Sequence, residues 1–255
     1  LDFNTKCVPR NAGCDGGTRM IPVELLDVAG LVPDAWQGRG LGNQFLDDLR
    51  QASALIHVVD ASGSTDLEGN PVPQGSHDPV EDILFLEREI SFWIRGILEK
   101  GWEKAARQAH MTGQSMVPIV HDRLTGLGVS EAQVLAAIRD SGLPENAMAW
   151  GPEELLRLSD AVRKCSKPMV IALNKADLAD DAVLERLTEA AGGIAVLTMA
   201  EGELALKRAA KANLVDYHPG DDRFSILEPS KLNPNQARAL SKIAGSLQRL
   251  QGTGV

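Results

Sequence analysis

Four short aliphatic runs limit what this chain can fold into: residues 20–28 (MIPVELLDV), 54–60 (ALIHVVD), 169–173 (MVIAL) and Ile194–Leu197 (IAVL) alternate with stretches of helical periodicity. Runs this apolar suit strands covered on both faces. Joined through helices, they make a mainly parallel sheet flanked by helices, an α/β fold. The stretch from 61 to 168 is far longer than one crossover helix needs, so a helical subdomain is inserted there. Its first helix opens at Asp78-Pro79-Val80-Glu81, with Asp as the cap, Pro at the first helical position and Glu three residues after the cap. Ile83, Leu86, Ile90, Trp93 and Ile97 follow at three- and four-residue steps and form one apolar seam. A second helix starts at the capping-box pattern Ser130-Glu131-Ala132-Gln133 and stops before Gly142, and a third covers 152–164. Trp93 and Trp102 read as packing residues of this insertion. Helices are also predicted over 201–212 and 234–250, the latter capped by Asn233 ahead of its Pro. The chain then divides into 1–77, a helical insertion over 78–164, and 165–255.

Composition narrows the classes of function. With 255 residues and 44% apolar content, the chain can bury one substantial core with a satellite. A net charge of -9 argues against a broad basic face for nucleic acid. No apolar run reaches the roughly 20 residues of a membrane span, and the first residues lack a signal-peptide profile, so a soluble cytoplasmic protein is expected. Cys7, Cys14 and Cys165 suit plain thiols in a reducing compartment. Cys7 with Cys14 offers only half of a tetrahedral zinc set.

Two strand ends carry chemistry. Asn174-Lys175-Ala176-Asp177 directly follows MVIAL, at the carboxyl end of a parallel strand, where α/β proteins place their ligands. A carboxylate there can accept both hydrogen bonds offered by guanine's ring N–H and exocyclic amine, a pair that adenine lacks, so Asp177 would select the base. Lys175 can lay its aliphatic stem along the purine, and Asn174 can brace the loop through neighbouring backbone. Asp27-Val28-Ala29-Gly30 also follows a predicted strand. In a phosphate site this Asp orients Mg2+ through water, and the Gly lets its N–H approach the terminal phosphate. Each motif also reads as an ordinary polar turn, and it is their order along the chain that favours a nucleotide site. Gly38, Gly40 and Gly42 lack dinucleotide-binding spacing. They read, with Leu31, as the hinge of a segment that rearranges when a phosphate is gained or lost.

The run LLDVAGLVPDAWQGRGLGNQFLDDLRQASALIHVVDASG, followed by KPMVIALNKADL, resembles the Obg-related YchF family of P-loop GTPases, in particular an archaeal and fungal branch that keeps a guanine-reading Asp. The likeness extends to HDPVEDILFLEREISFWI, ELALKRAAKANLVDYHPG and the closing GTGV. It implies a GTPase domain with a helical insertion, followed in the family by a TGS domain that this sequence does not include. It also implies GTP and GDP as ligands, Mg2+ as cofactor, and a ribosome or ribosomal RNA as partner. The family's base-binding Ser-Ala loop corresponds to Thr198, Met199 and Ala200, whose N–H groups could meet the guanine carbonyl.

The departures from the family are specific. No Gly-x-x-x-x-Gly-Lys-Ser/Thr occurs in residues 1–26, so the chain is expected to lack the phosphate loop and the first strand of the sheet. That strand would lie between the 20–28 and 54–60 strands. Its absence implies a gap or a new pairing there, and weak, magnesium-insensitive GTP binding. Met199 replaces Ser, and Trp36 and Gln37 replace an expected His and Glu. Two functions compete: a GTP hydrolase acting as a translation switch, and a non-catalytic interaction domain derived from one. Leu31 stands where many GTPases place a water-orienting Gln, and an aliphatic side chain cannot hold water by hydrogen bonding. In a form carrying a phosphate loop, Leu31→Gln is therefore expected to leave hydrolysis in place. A fall of about a thousandfold in single-turnover rate, with nucleotide binding intact, would contradict this.

Overall fold

The structure is a computed structural model that describes residues 14–15, 18–19, 23–28, 48–192 and 194–255. A short antiparallel pair comes first, β1 (Cys14–Asp15) with β2 (Thr18–Arg19). The central sheet is parallel throughout: β3 (Leu55–Asp60), β4 (Met169–Asn174) and β5 (Ile194–Leu197), in that spatial order. Leu55 is opposite Met169 and Asp60 opposite Asn174, so the polar ends of β3 and β4 finish side by side.

One face of the sheet is packed. Val59, Ile171 and Leu173 join Ile83, Leu184 and Leu187 in a buried cluster. The other face is open where Ile56, Val58 and Ile194 are 63%, 62% and 65% exposed. Burial on both faces, expected from the apolar runs, is therefore realised on one.

The predicted strand over 20–28 is corrected over its described part. Residues 23–28 carry no secondary structure, and Val23, Leu25 and Leu26 are exposed. A strand exists through its ladder of inter-strand hydrogen bonds, and among the described residues β3 ends the sheet without a neighbour on its outer side. Neither a facing strand nor a new pairing forms there among those residues.

The helices follow their caps. α1 (Pro79–Glu99) begins where the Asp78 carboxylate accepts the Val80 N–H, and Ile83, Ile90, Trp93, Ile94 and Leu98 are buried along it. α2 (Trp102–Thr112) and α3 (Met116–Leu124) have no counterpart in the sequence reading. α2 starts from Gly101 in a left-handed conformation with no capping side chain, and α3 carries Pro118 in its first turn, where a missing N–H costs nothing. α4 (Glu131–Asp140) has the Ser130–Gln133 capping box, and α5 (Pro152–Ser166) runs two residues beyond the predicted 164. These five helices share a core containing Ile90, Ile94, Val134, Leu158 and Val162, in which Trp102 stacks on Trp150 at 5.5 Å and 12°. Leu49 belongs to that core, with Leu55 and Met169 packed against it, so it is continuous with the sheet.

After β4 come α6 (Asp181–Ala190), α7 (Ala200–Lys211), a small hairpin of β6 (Val215–Asp216) and β7 (Ser225–Ile226), and α8 (Pro234–Leu250) with an Asn233–Gln236 capping box. Met199, Leu206, Val215, Leu240 and Leu247 form their core. Among the described residues no helix is long and apolar enough to cross a membrane. Leu158 is fully buried where α5 meets its neighbours. Leu158→Ala is expected to cost about 2–5 kcal/mol in urea unfolding, the range for a truncated core side chain.

Candidate functional site

The site grows out of the carboxyl ends of β3, β4 and β5. Asn174 ends β4, and its side-chain oxygen accepts the Ala200 N–H at 3.1 Å, tying the loop after β4 to the loop after β5. The Thr198 hydroxyl reaches the same oxygen at 3.5 Å. Thr198 continues the strand pairing by donating its N–H to the Leu173 carbonyl at 2.9 Å, and its own carbonyl accepts the Ala176 N–H at 3.1 Å. Lys175 then turns the chain with φ 58°, a left-handed conformation uncommon for a residue with a side chain. A single 3-10 turn, Ala176–Leu178, follows. Ala176 is buried, whereas Asp177 is half-buried and its carboxylate has no partner among the described residues.

Lys175 is held from the neighbouring strand. Its Nζ donates to Asp60 Oδ2 at 2.7 Å and to Ser64 Oγ at 2.9 Å. Asp60 also accepts the Ser62 hydroxyl at 2.6 Å and N–H at 3.0 Å, the Ser64 hydroxyl at 2.7 Å and the Thr65 hydroxyl at 3.1 Å. Burial works to raise the Asp60 pKa, but the hydrogen bonds from Lys175, Ser62, Ser64 and Thr65 together outweigh it and hold the carboxyl far below the ordinary carboxylate range. Gly63 lets the loop close beneath this cluster: its φ is 59°, and a methyl there would run into the His77 carbonyl. The sequence reading gave Asp60, Ser62 and Ser64 no role. The signal was an Asp closing an apolar strand, but only the parallel register brings it beside Lys175.

The Met199 side chain is buried, 2% exposed, in the core of α7 and α8, and the Met199 N–H donates to the Thr253 carbonyl at 2.9 Å. With the Thr198 N–H on Leu173 and the Ala200 N–H on Asn174, all three groups expected to meet the guanine carbonyl are engaged within the chain. Asp27 is exposed in the unpaired segment 23–28. Gly30, Leu31, Gly38, Gly40 and Gly42 lie outside the described residues. Among the described residues, no group of three or more His, Cys, Asp or Glu side chains could hold a metal ion. These residues do not by themselves make a Mg2+ site.

A parallel sheet with polar loops gathered at its carboxyl ends is the architecture of α/β nucleotide-binding proteins. Comparison with known proteins makes the class specific. Residues 172–255 match the family described as Obg-like GTPase YGR210-like, G4 motif-containing domain. An uncharacterized GTP-binding protein of Methanocaldococcus jannaschii is 49% identical over 256 residues, spanning 100% of this chain and 63% of the relative. Another, from Schizosaccharomyces pombe, is 37% identical over 244 residues, spanning 94% of this chain and 59% of the relative. The crystal structure of a GTP-binding protein from Pyrococcus horikoshii superposes with a TM-score of 0.74 at 40% identity, covering 99% of this chain and 64% of that one. Over residues 172–255 the chain carries the domain of the Obg-like GTPase family, and it spans somewhat less than two thirds of the length of these GTP-binding relatives.

The Asp60 cluster sets a pH dependence. Because the folded carboxyl is more acidic than the unfolded one, its contribution is present above the unfolded value of about 4 and is lost as pH falls below it. Asp60→Asn is expected to lower the urea midpoint at pH 7, with the gap to wild type narrowing as pH is taken down to about 3. A gap of constant size across that range would show that the cluster carries no linked charge.

Proposed function

We propose that this chain is the base-reading part of a GTP-binding protein that hydrolyses GTP to GDP and phosphate, and that it works as a translation- or ribosome-associated switch in the cytoplasm. The observation that carries the first part is Asp177: a half-buried carboxylate without an internal partner, on a short turn pinned at the carboxyl end of β4. The Asp177 oxygens reach solvent and are free to accept, and guanine presents two adjacent donors. Lys175, its amine fixed on Asp60, keeps its stem in one place for the purine face, while Asn174 joins the two loops.

Thr198, Met199 and Ala200 shape the far side of the base. The Ala200 N–H can be shared between Asn174 and the guanine carbonyl in a three-centre bond. Asp27 and Gly30 serve the phosphates, with Mg2+ held through water and phosphate oxygens rather than in an all-protein cage, as is usual for this ion. Leu31, Gly38, Gly40 and Gly42 form the hinge that answers the terminal phosphate. The division into 1–77, 78–164 and 165–255 belongs to this proposal, with the helical insertion as a docking element. The ribosomal partner rests on the family resemblance.

Asp177→Asn removes the acceptor pair and places an amide donor against a guanine donor. Each charge-assisted bond to the base contributes about 1.5–3 kcal/mol, so preference for GTP over ATP in competition binding is expected to disappear. Selectivity unchanged by the substitution would sink the assignment of the site.

A further inference from the structure

The last helix and the residues after it reach back to both loops of the proposed site. Arg249 lies in the final turn of α8, and its guanidinium spans the loop after β4: Nη2 donates to the Ala176 carbonyl at 2.7 Å, and Nη1 to the Ala179 carbonyl at 2.9 Å. Nη1 also meets the exposed Asp181 carboxylate at 3.0 Å. Ala176 and Ala179 bracket the turn that carries Asp177. The turn is closed at its start by the Leu178 N–H on the Lys175 carbonyl at 2.9 Å, but its second half is loose, with the Ala179 N–H reaching the Ala176 carbonyl at only 3.4 Å. A 3-10 turn has poor hydrogen-bond geometry to begin with. A planar guanidinium can hold two carbonyls at a fixed separation, which an ammonium cannot.

The segment after α8 takes hold of the other loop. The chain turns at Gln251, whose φ is 59°, and the Thr253 carbonyl accepts the Met199 N–H at 2.9 Å. Thr253 is fully buried, and its hydroxyl donates to the Glu203 carboxylate at 2.8 Å, which also accepts the Tyr217 hydroxyl at 2.5 Å. Gly254 sits at φ 69° against the Leu197 carbonyl, which leaves no room for a side chain. One element thus grips the loop after β4 through Arg249 and the loop after β5 through Thr253.

We infer that Arg249 is a positioning residue for guanine recognition: it sets the separation of the Ala176 and Ala179 carbonyls and so aims the Asp177 carboxylate at the base. This rests on the reading of Asp177 given above. Arg249 itself touches no nucleotide. A residue that merely held α8 in place would affect stability and all nucleotides alike. One that aims Asp177 weakens the ligands that donate to that carboxylate, GDP more than IDP because guanine offers it two donors and hypoxanthine one.

The test compares GDP, IDP and ADP on the purified protein by NMR titration, which reads weak affinities, well below each variant's Tm. IDP lacks only the exocyclic amine, so the GDP-to-IDP affinity ratio reports that single bond to Asp177. In Arg249→Ala the ratio is expected to fall about tenfold, with IDP binding changed far less, the loss fitting one charge-assisted hydrogen bond. Arg249→Lys is expected to recover little of it, and Asp181→Asn, which spares both carbonyl contacts, to keep the wild-type ratio. A lowered Tm with an unchanged ratio in Arg249→Ala would make Arg249 a fold anchor and overturn the inference. If Arg249→Ala does not fold, a wild-type ratio in Arg249→Lys overturns it equally. A wild-type protein with no preference for GDP over ADP would fail earlier, at Asp177 itself, and is distinguished from the other failures by that comparison.

Discussion

The register of the parallel sheet decides what the site can be. Because Asp60 and Asn174 end their strands side by side, the residue after Asn174 emerges within reach of the Asp60 carboxylate, and Lys175 closes onto it at 2.7 Å. Without that partner, a lysine at φ 58° would carry a backbone cost of order 1 kcal/mol and a mobile side chain. With it, the left-handed turn, the amine and the Ser62–Thr65 loop form one hydrogen-bonded unit. A one-residue slip would turn Asp60 to the other face, and the unit could not form.

Met199 has a packing role in the loop after β5. Its side chain is buried in the core shared by α7, the hairpin and α8, with its sulfur and neighbouring carbons against Gly202. A thioether fills such an irregular space without a polar group to satisfy. The loop after β5 is therefore fixed by apolar burial on one side and by the Thr253 carbonyl on the other.

What the sequence made legible followed local rules. The caps at Asp78, Ser130 and Asn233 and the aliphatic strands at 54–60, 169–173 and Ile194–Leu197 each depend on neighbours within a few residues, and each reappears within a residue or two. What was hidden depends on distance along the chain. Residues 20–28 have strand composition, yet composition supplies no pairing edge, and 23–28 remain unpaired and exposed. Asp60 and Lys175 are 115 positions apart, and Arg249 lies 73 positions from Ala176, so no periodicity or motif could join them. α2 escaped notice because its start is a glycine corner instead of a capping side chain.

The loops proposed to read the base are therefore supported from two sides by elements outside them. The β3 end fixes Lys175 through Asp60, and α8 fixes the Asp177 turn through Arg249. Rigid support of this kind matters more for selectivity than for affinity. A carboxylate free to move can meet one donor of many ligands, whereas one held in place rewards only a ligand with two donors correctly spaced. Around Asp27, Val23, Leu25 and Leu26 are exposed, while Val28 packs against the core of the helical insertion. In the proposed reading, the discrimination of the base rests on a packed frame that joins β3, β4 and α8.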